Sequence, residues 1–331
     1  MSSINLGKVI PLESLDNISV SKAFGSLARL LGLPLLGLSI FLMFWQVGAS
    51  KIETSLGTFP GPVQVWEQSK SLVAEHQEEQ IKAQAFYERQ EARNTKRLEK
   101  DPNAPVRWRE YTGKPTFFDQ IGTSLVTVLA GFIIASLIAV PLGICIGLST
   151  SLNAALNPVI QIFKPVSPLA WLPLVTMIVS AVYVSDDPMF AKSFITSLFT
   201  VALCCLWPTL LNTAVGVSTI SSDLQNVSKV LRLSWLTHII KIVLPSSIPM
   251  IFTGLRLSLG IAWMVLIAAE MLAQNPGLGK FVWDEFQNGS SNSLGRIMVA
   301  VLVIGIIGFL LDRIMLLIQR TVSWDKSAIT R

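Results

Sequence analysis

Six apolar runs, each about as long as a bilayer crossing, constrain this 331-residue chain more than any other feature. They cover approximately residues 29–48, 124–149, 166–184, 194–217, 248–272 and 298–318. At ~1.5 Å of rise per residue, ~20 helical residues cross the ~30 Å hydrocarbon layer. Lipid offers no partner to an exposed N–H or C=O, so such runs must be helices that satisfy their own backbones. The composition agrees, with 51% hydrophobic residues, 14% charged residues and a mean hydropathy of +0.56. The expected fold is therefore all-α, a polytopic membrane bundle of six transmembrane helices. Pro141, Pro168, Pro173 and Pro208 fall in or beside these runs, where neighbouring helices can satisfy the freed carbonyls. Gly131, Gly143, Gly147, Gly254, Gly260, Gly305 and Gly308 suit close helix packing.

Charge divides the rest of the chain between the two sides of the membrane. Lys8, Lys22, Arg29, Lys164, Lys229, Arg232, Lys241, Arg313 and Arg320 fall on one side of a six-span arrangement. The short opposite loops carry only Lys192, Lys280 and Arg296, beside Asp186, Asp187, Asp284 and Glu285. The positive-inside rule makes the first side cytoplasmic. Residues 1–28 are then a cytoplasmic N-terminus, and they lack the compact layout of a cleaved signal. Residues 29–48 form a retained first span with Trp45 at an interface, and 321–331 a cytoplasmic tail. Residues 49–118 are a charged extracytoplasmic insert, long enough to cross regardless of its many basic residues. Within it a Phe59-Pro60-Gly61-Pro62 turn precedes Val63–Lys100, which has no Pro or Gly and suits a solvated helix or helical hairpin anchored at its N-terminal end. The Asp101-to-Pro105 stretch breaks that helix. Residues 119–320 hold the other five spans. Six spans leave both termini on the cytoplasmic side.

Chemistry of the catalytic kind is missing. Cys145, Cys204 and Cys205 sit in apolar runs, and His76 and His238 stand alone, so neither a disulfide framework nor a metal site is expected. No phosphate-binding G-x-x-x-x-G-K-[ST], no H-E-x-x-H and no Ser–His–Asp set is present, so no catalytic residue is assigned. The net charge of +5 is dispersed or placed at span ends, which argues against nucleic acid. Energy for uphill work would come from a partner chain or an ion gradient.

The most unusual stretch is the amphipathic knuckle between two spans, about residues 222–243. Ser221 and Ser222 are good N-caps, and Leu224, Val227, Leu231 and Trp235 recur at helical spacing on one face. Gln225, Asn226, Lys229 and Arg232 line the other side, and Leu236, Ile239, Ile240 and Val243 make a second stripe that ends at Leu244–Pro245. Such a helix can lie in the groove of a cytoplasmic protein or among lipid headgroups. Two intramembrane charges call for separate accounts, because Arg256 and Glu270 lie about 21 Å apart along one helix. Arg256 is at the depth of Asp312 on the last span and either pairs with it or faces a path. Glu270, near the outer end, suits a gate or a partner contact better than an anion ligand. Ser167, Trp171, Thr176, Asn212, Thr213 and Trp263 are the polar groups available to line a path, or else ordinary helix contacts.

The knuckle resembles the cytoplasmic coupling loop of ATP-binding-cassette importer permeases, whose pattern is E-A-A, three residues, G, nine residues, I-x-L-P. Ile242-Val243-Leu244-Pro245 matches its end in register, whereas Asn226-Val227-Ser228 replaces E-A-A and Arg232 replaces the Gly. Pro168-Leu169-Ala170-Trp171-Leu172-Pro173, Trp207-Pro208, Asn212-Thr213, Thr253-Gly254-Leu255-Arg256, Ala262-Trp263, Ala269-Glu270-Met271 and Gly277-x-Gly279 are similar to the nitrate, bicarbonate, sulfonate and taurine permeases, nitrate and bicarbonate above all. The resemblance implies a type I importer permease of a bacterial plasma membrane that forms a dimer, with a second identical subunit expected. Two cytoplasmic P-loop ATPase subunits would grip it through Asn226, Val227, Ser228, Lys229, Leu231, Arg232, Trp235, Leu244 and Pro245. An extracytoplasmic anion-binding protein would deliver cargo, and ATP with Mg2+ would bind the partners rather than this chain. The implied cargo is a small anion, nitrate or nitrite first, with bicarbonate, cyanate or sulfonate behind. A secondary transporter driven by an ion gradient is the alternative of another class. It would need no knuckle and would bury carboxylates mid-span, where this sequence has none.

Overall fold

A computed structural model of the protein describes residues 20–54, 57–101, 105–184 and 189–322, with side chains from residue 32 onward. Most of the expected N-terminal segment, most of the expected tail, and Asp186 and Asp187 lie outside the described residues. The chain divides into two compact units, residues 1–64 and 65–331.

In the first unit, α1 (Val20–Ala49) carries the expected first span and continues through Pro34. Its described side chains from Gly32 to Phe44 are exposed, as suits a helix surrounded by lipid. A hairpin of β1 (Glu53–Thr54) and β2 (Gly57–Thr58) follows, with Glu53 opposite Thr58. Gly57 holds a φ of 114°, a backbone region few other residues enter cheaply. Trp45 does more than sit at an interface, since its Nε1–H donates to Pro60 O at 3.1 Å and fastens the turn to the end of α1.

The insert is one helix, α2 (Pro62–Lys100), and not a helical hairpin. Its return is extended chain held by side chains that imitate a strand partner. Gln90 donates to Arg109 O and accepts from Arg109 N, both at 2.8 Å, and Asn94 donates to Arg107 O at 3.0 Å. Two amides spaced one helical turn apart meet alternate residues of the extended segment, which explains why both are buried in an otherwise exposed helix.

The bundle is built on α3 (Phe117–Leu148), α6 (Lys192–Ser218) and α9 (Leu244–Ala273), with α6 packed between the other two. Thr116 caps α3 in a reciprocal capping box with Asp119. Small residues set the close approach: a Cβ added to Gly143 would lie 2.8 Å from Leu210 O, and one on Gly147 would lie 2.6 Å from Ala214 O. Gly254 brings α9 equally near Pro208 and Thr209 of α6. Gly260 and Gly305 face open space, so the expectation that they mediate packing is not met. Pro208 leaves α6 unbroken, and next to it Thr209 donates both its N–H (3.0 Å) and its hydroxyl (2.7 Å) to Ser258 Oγ of α9. That cross-helix pairing serves the N–H and hydroxyl of Thr209, not the carbonyl that Pro208 leaves free.

The run at 166–184 corrects one expectation. It forms only a 15-residue helix, α5 (Pro168–Val182), too short to cross alone. Pro168 biases Ser167 before it to extended backbone, with φ at −63° and ψ at 143°, and this separates α5 from α4 (Thr150–Phe163). The two helices meet at 99°, a broken span or re-entrant pair, so the described residues contain five straight candidate spans and this bent one.

Candidate functional site

The knuckle is not a single helix. α7 (Ser222–Val230) ends in a Schellman turn: Leu233 N bonds to Ser228 O and Arg232 N to Lys229 O, both at 3.1 Å. Arg232 holds the left-handed residue of this turn, with φ at 49°. It thus makes the same turn that a glycine would make there, at a cost of roughly 1–2 kcal/mol. Ser234 then caps α8 (Trp235–His238), which runs without a break through a π turn, Ile239–Val243, into α9. The expected stop at Leu244–Pro245 is therefore corrected. Pro245 thus sits inside a continuous helix and is accommodated by the π turn before it. The preceding turn is rewound, with Leu244 N bonded to Ile239 O five residues back.

The two apolar stripes have different fates. Val243 is buried and Ile239 half-buried against Ile144 of α3 and Val217 of α6, which roots the knuckle on the bundle. Leu224, Val227, Leu231, Trp235, Leu236 and Ile240 are exposed, Trp235 at 63%, and Asn226, Lys229, Leu244 and Pro245 are exposed beside them. Ser228 alone of the coupling candidates is buried. Behind the knuckle lies a cavity of about 640 Å³ reached by Lys229, Trp235 and His238. The arrangement is an exposed apolar surface on a turn that continues into a core helix.

Structure scatters the path and gate candidates over three places. Arg256 and Asp312 form a two-pronged pair, Nε to Oδ1 at 2.5 Å and Nη2 to Oδ2 at 3.1 Å, joining α9 to α11 (Ser293–Val322). Trp263, also on α9, donates its Nε1–H to Ile304 O of α11 at 2.9 Å. Thr213 is fully buried against Gly143 at the α3–α6 contact, and Asn212 bonds back to Pro208 O. These groups join helices. Ser167 caps α5, Thr176 bonds to its own helix at Leu172 O, and Trp171 stacks on Phe163 at 5.8 Å.

Glu270 is 0% exposed, and partners that sequence reasoning missed surround it. Ser124 Oγ of α3 lies 2.9 and 2.8 Å from its two oxygens and accepts Leu278 N at 2.8 Å, while Gly279 N donates to Oε2 at 3.0 Å. Asn275 Nδ2 reaches Thr127 Oγ1 of α3 at 3.3 Å. Glu270 therefore latches the turn between α9 and α10 (Leu278–Asn288) onto α3. A Cβ on Gly277 would collide with the carboxylate, so the first glycine of the Gly277-x-Gly279 motif is a cradle for it. That motif was the one available signal, and it carries no hint of Ser124.

At the same end, Arg296 of α11 pairs with Glu75 of α2 at 2.5 Å and with Glu285 of α10 at 3.0 Å. Tyr111 donates to Glu79 at 2.7 Å, which holds the Glu79 carboxyl below its usual range and pushes the Tyr111 phenol up. His76 Nδ1 meets Thr116 Oγ1 at 2.7 Å. The insert is thus anchored by its proximal half, as expected. Among the described residues no cluster of His, Cys, Asp or Glu could hold a metal.

Comparison with known proteins accounts for this arrangement. Residues 139–324 match the family described as the inner membrane component of binding-protein-dependent transport systems. The nitrate import permease protein NrtB of Synechococcus elongatus is 35% identical over 226 residues, covering 65% of this chain and 77% of that protein. The bicarbonate transport system permease protein CmpB of the same organism is 34% identical over 289 residues, or 87% of this chain and 88% of that one. A chain of the MetNI methionine ABC transporter in inward-facing conformations shares the fold, with a TM-score of 0.53 at 13% identity over 62% of this chain and 96% of that one. The chain is a multi-pass membrane protein, and it belongs to the ABC importer permeases of the nitrate and bicarbonate family.

Proposed function

We propose that this chain is the membrane subunit of an ATP-driven importer of a small inorganic oxyanion, nitrate in the first instance. The observation that carries the reading is the exposed apolar knuckle. Leu231, Trp235, Leu236 and Ile240 lie uncovered on a turn continuous with α9, and unsupported apolar surface of this kind marks a contact site. The basic residues around it support a cytoplasmic position, where separate P-loop ATPase subunits would seat it in a groove. Two copies would enclose the path between them, ATP and Mg2+ would bind the ATPases, and an extracytoplasmic binding protein would select the anion. Glu270 then serves the outer gate by holding the α9–α10 turn on α3, not by meeting the anion. Bicarbonate is the second reading, since a bicarbonate permease aligns over 87% of this chain, the same share that a nitrate permease covers.

The test is reconstitution with the ATPase and binding proteins in nanodiscs, with ATP hydrolysis measured as nitrate, nitrite or bicarbonate is added. Stimulation by nitrate supports the first reading, and stimulation by bicarbonate alone replaces it with the second. Leu231→Asp and Trp235→Glu should abolish stimulation with the bundle still folded. Unchanged stimulation in both variants returns the knuckle to a headgroup contact.

A further inference from the structure

The distal half of the insert carries a feature that none of this uses. Charge is sorted along the insert: residues 62–88 hold five acidic and two basic side chains, whereas residues 89–109 hold seven basic and three acidic ones. The basic excess converges. Arg93 and Arg97, one turn apart on α2, and Arg107 and Arg109, alternate residues of the extended return, line one cleft of about 240 Å³ floored by Phe86, Gln90 and Asn94. No carboxylate among the described residues lies within ion-pair distance of any of the four. Nearer the bundle, Glu75 pairs with Arg296 of α11 and Lys82 with Glu78.

The return segment does not drift away from the helix to relieve this crowding. The amides of Gln90 and Asn94 are buried and spend their hydrogen bonds on the backbone of Arg107 and Arg109, so the return segment is held against α2 while the four arginine side chains remain exposed around the cleft. Like charges one turn apart on a helix repel, and a second pair facing them adds to that cost. A backbone clamp that holds four cationic forks together makes sense when an anion lies among them. The guanidinium fork matches the paired oxygens of an oxyanion.

We propose that this cleft is an oxyanion-binding site, occupied by one free inorganic oxyanion that bridges α2 and its return segment. Its two helical arginines lie about 21–27 Å along α2 from Glu79, at the proximal half of the insert, so the cleft is separate from any path through the membrane. Occupancy closes the distal insert, and the inference stands apart from which anion the bundle carries.

The test uses the full chain in nanodiscs, with hydrogen exchange of residues 105–111 followed as sodium sulfate replaces sodium chloride at constant ionic strength. Nitrate and bicarbonate are run as parallel arms. Protection should rise severalfold with at least one oxyanion, and the rise should vanish in Arg107→Gln/Arg109→Gln and separately in Arg93→Gln/Arg97→Gln. Both variants keep the Gln90 and Asn94 clamp, and unchanged basal protection of residues 65–80 shows that each remains folded. Equal protection by chloride means screening only and overturns the proposal. A rise that survives both variants places the anion elsewhere. If no free oxyanion acts and the variants instead lose association with the binding protein, the cleft receives a protein carboxylate, and the proposal fails while the importer reading stands.

Discussion

Replacing Arg256 and Asp312 singly and together tests how the bundle tolerates charge inside lipid. The pair lies well within the spans: Arg256 is about 18 Å from the start of α9 and Asp312 about 15 Å from the end of α11. Removing either partner strands the other, and an unpaired charge at the centre of a span costs roughly 2.5–3.5 kcal/mol on insertion scales. The two side chains are 39% and 36% exposed within this chain, so water or snorkelling relieves part of that. Arg256→Ala and Asp312→Ala are therefore each expected to cost about 2 kcal/mol. The double variant strands nothing and loses only the stem packing, about 1 kcal/mol. The four proteins together should give a coupling energy of about 2–3 kcal/mol, read from unfolding in mixed micelles by rising SDS fraction. Additivity of the single variants to within about 0.5 kcal/mol would refute a structural pair. So would an Arg256→Ala protein that is fully stable yet loses anion-stimulated transport, because Arg256 would then be acting on the anion.

Four further outcomes follow from the Glu270 latch, the knuckle and the insert. Glu270→Ala orphans Gly279 N–H and the Ser124 hydroxyl and should cost about 2–5 kcal/mol in the same assay, whereas Glu270→Gln keeps an acceptor for Gly279 and should cost less than half as much. Gly277→Ala, which drives a methyl into that carboxylate, should cost about 1–3 kcal/mol; wild-type stability there would mean the cradle is loose. Arg232→Gly relieves the left-handed residue and should stabilise α7 by up to about 1 kcal/mol, while Arg232→Val should destabilise it, both read by hydrogen exchange across 222–233. The Glu79–Tyr111 bond sets two pH limits. Glu79 titrates below its usual value, so its contribution is complete above that value and is lost as acid passes the lowered one. Tyr111 titrates above its usual value, so its contribution is complete below that value and is lost as base passes the raised one. Protection factors across 109–116 should be flat near neutrality and fall at both extremes, and Tyr111→Phe should remove both pH-dependent losses.

Where sequence reasoning succeeded, the determinant was local or periodic. A run of apolar residues must be a helix in lipid whatever its neighbours, which set the all-α class and most of the spans. Arg256 and Asp312 could be matched from depth alone, because two lone charges at one level of a bundle have few other partners. The knuckle was legible as an amphipathic break, and the register of Ile242 to Pro245 placed it. Its internal geometry was not. A proline reads as a stop, and only the coordinates show the preceding turn rewound to five-residue hydrogen bonds that carry α8 into α9.

What the sequence alone determined, then, is the class of the protein and the number of its apolar runs, since hydropathy acts residue by residue. Tertiary structure decided which polar groups meet. Ser124 and Glu270 are 146 positions apart, and the four arginines of the insert become a cleft only because Gln90 and Asn94 fold the return segment back onto α2. No local pattern records such meetings, because a hydrogen bond across helices depends on how the backbones pack, and that depends on glycines such as Gly143 and Gly254 letting α6 approach both of its neighbours.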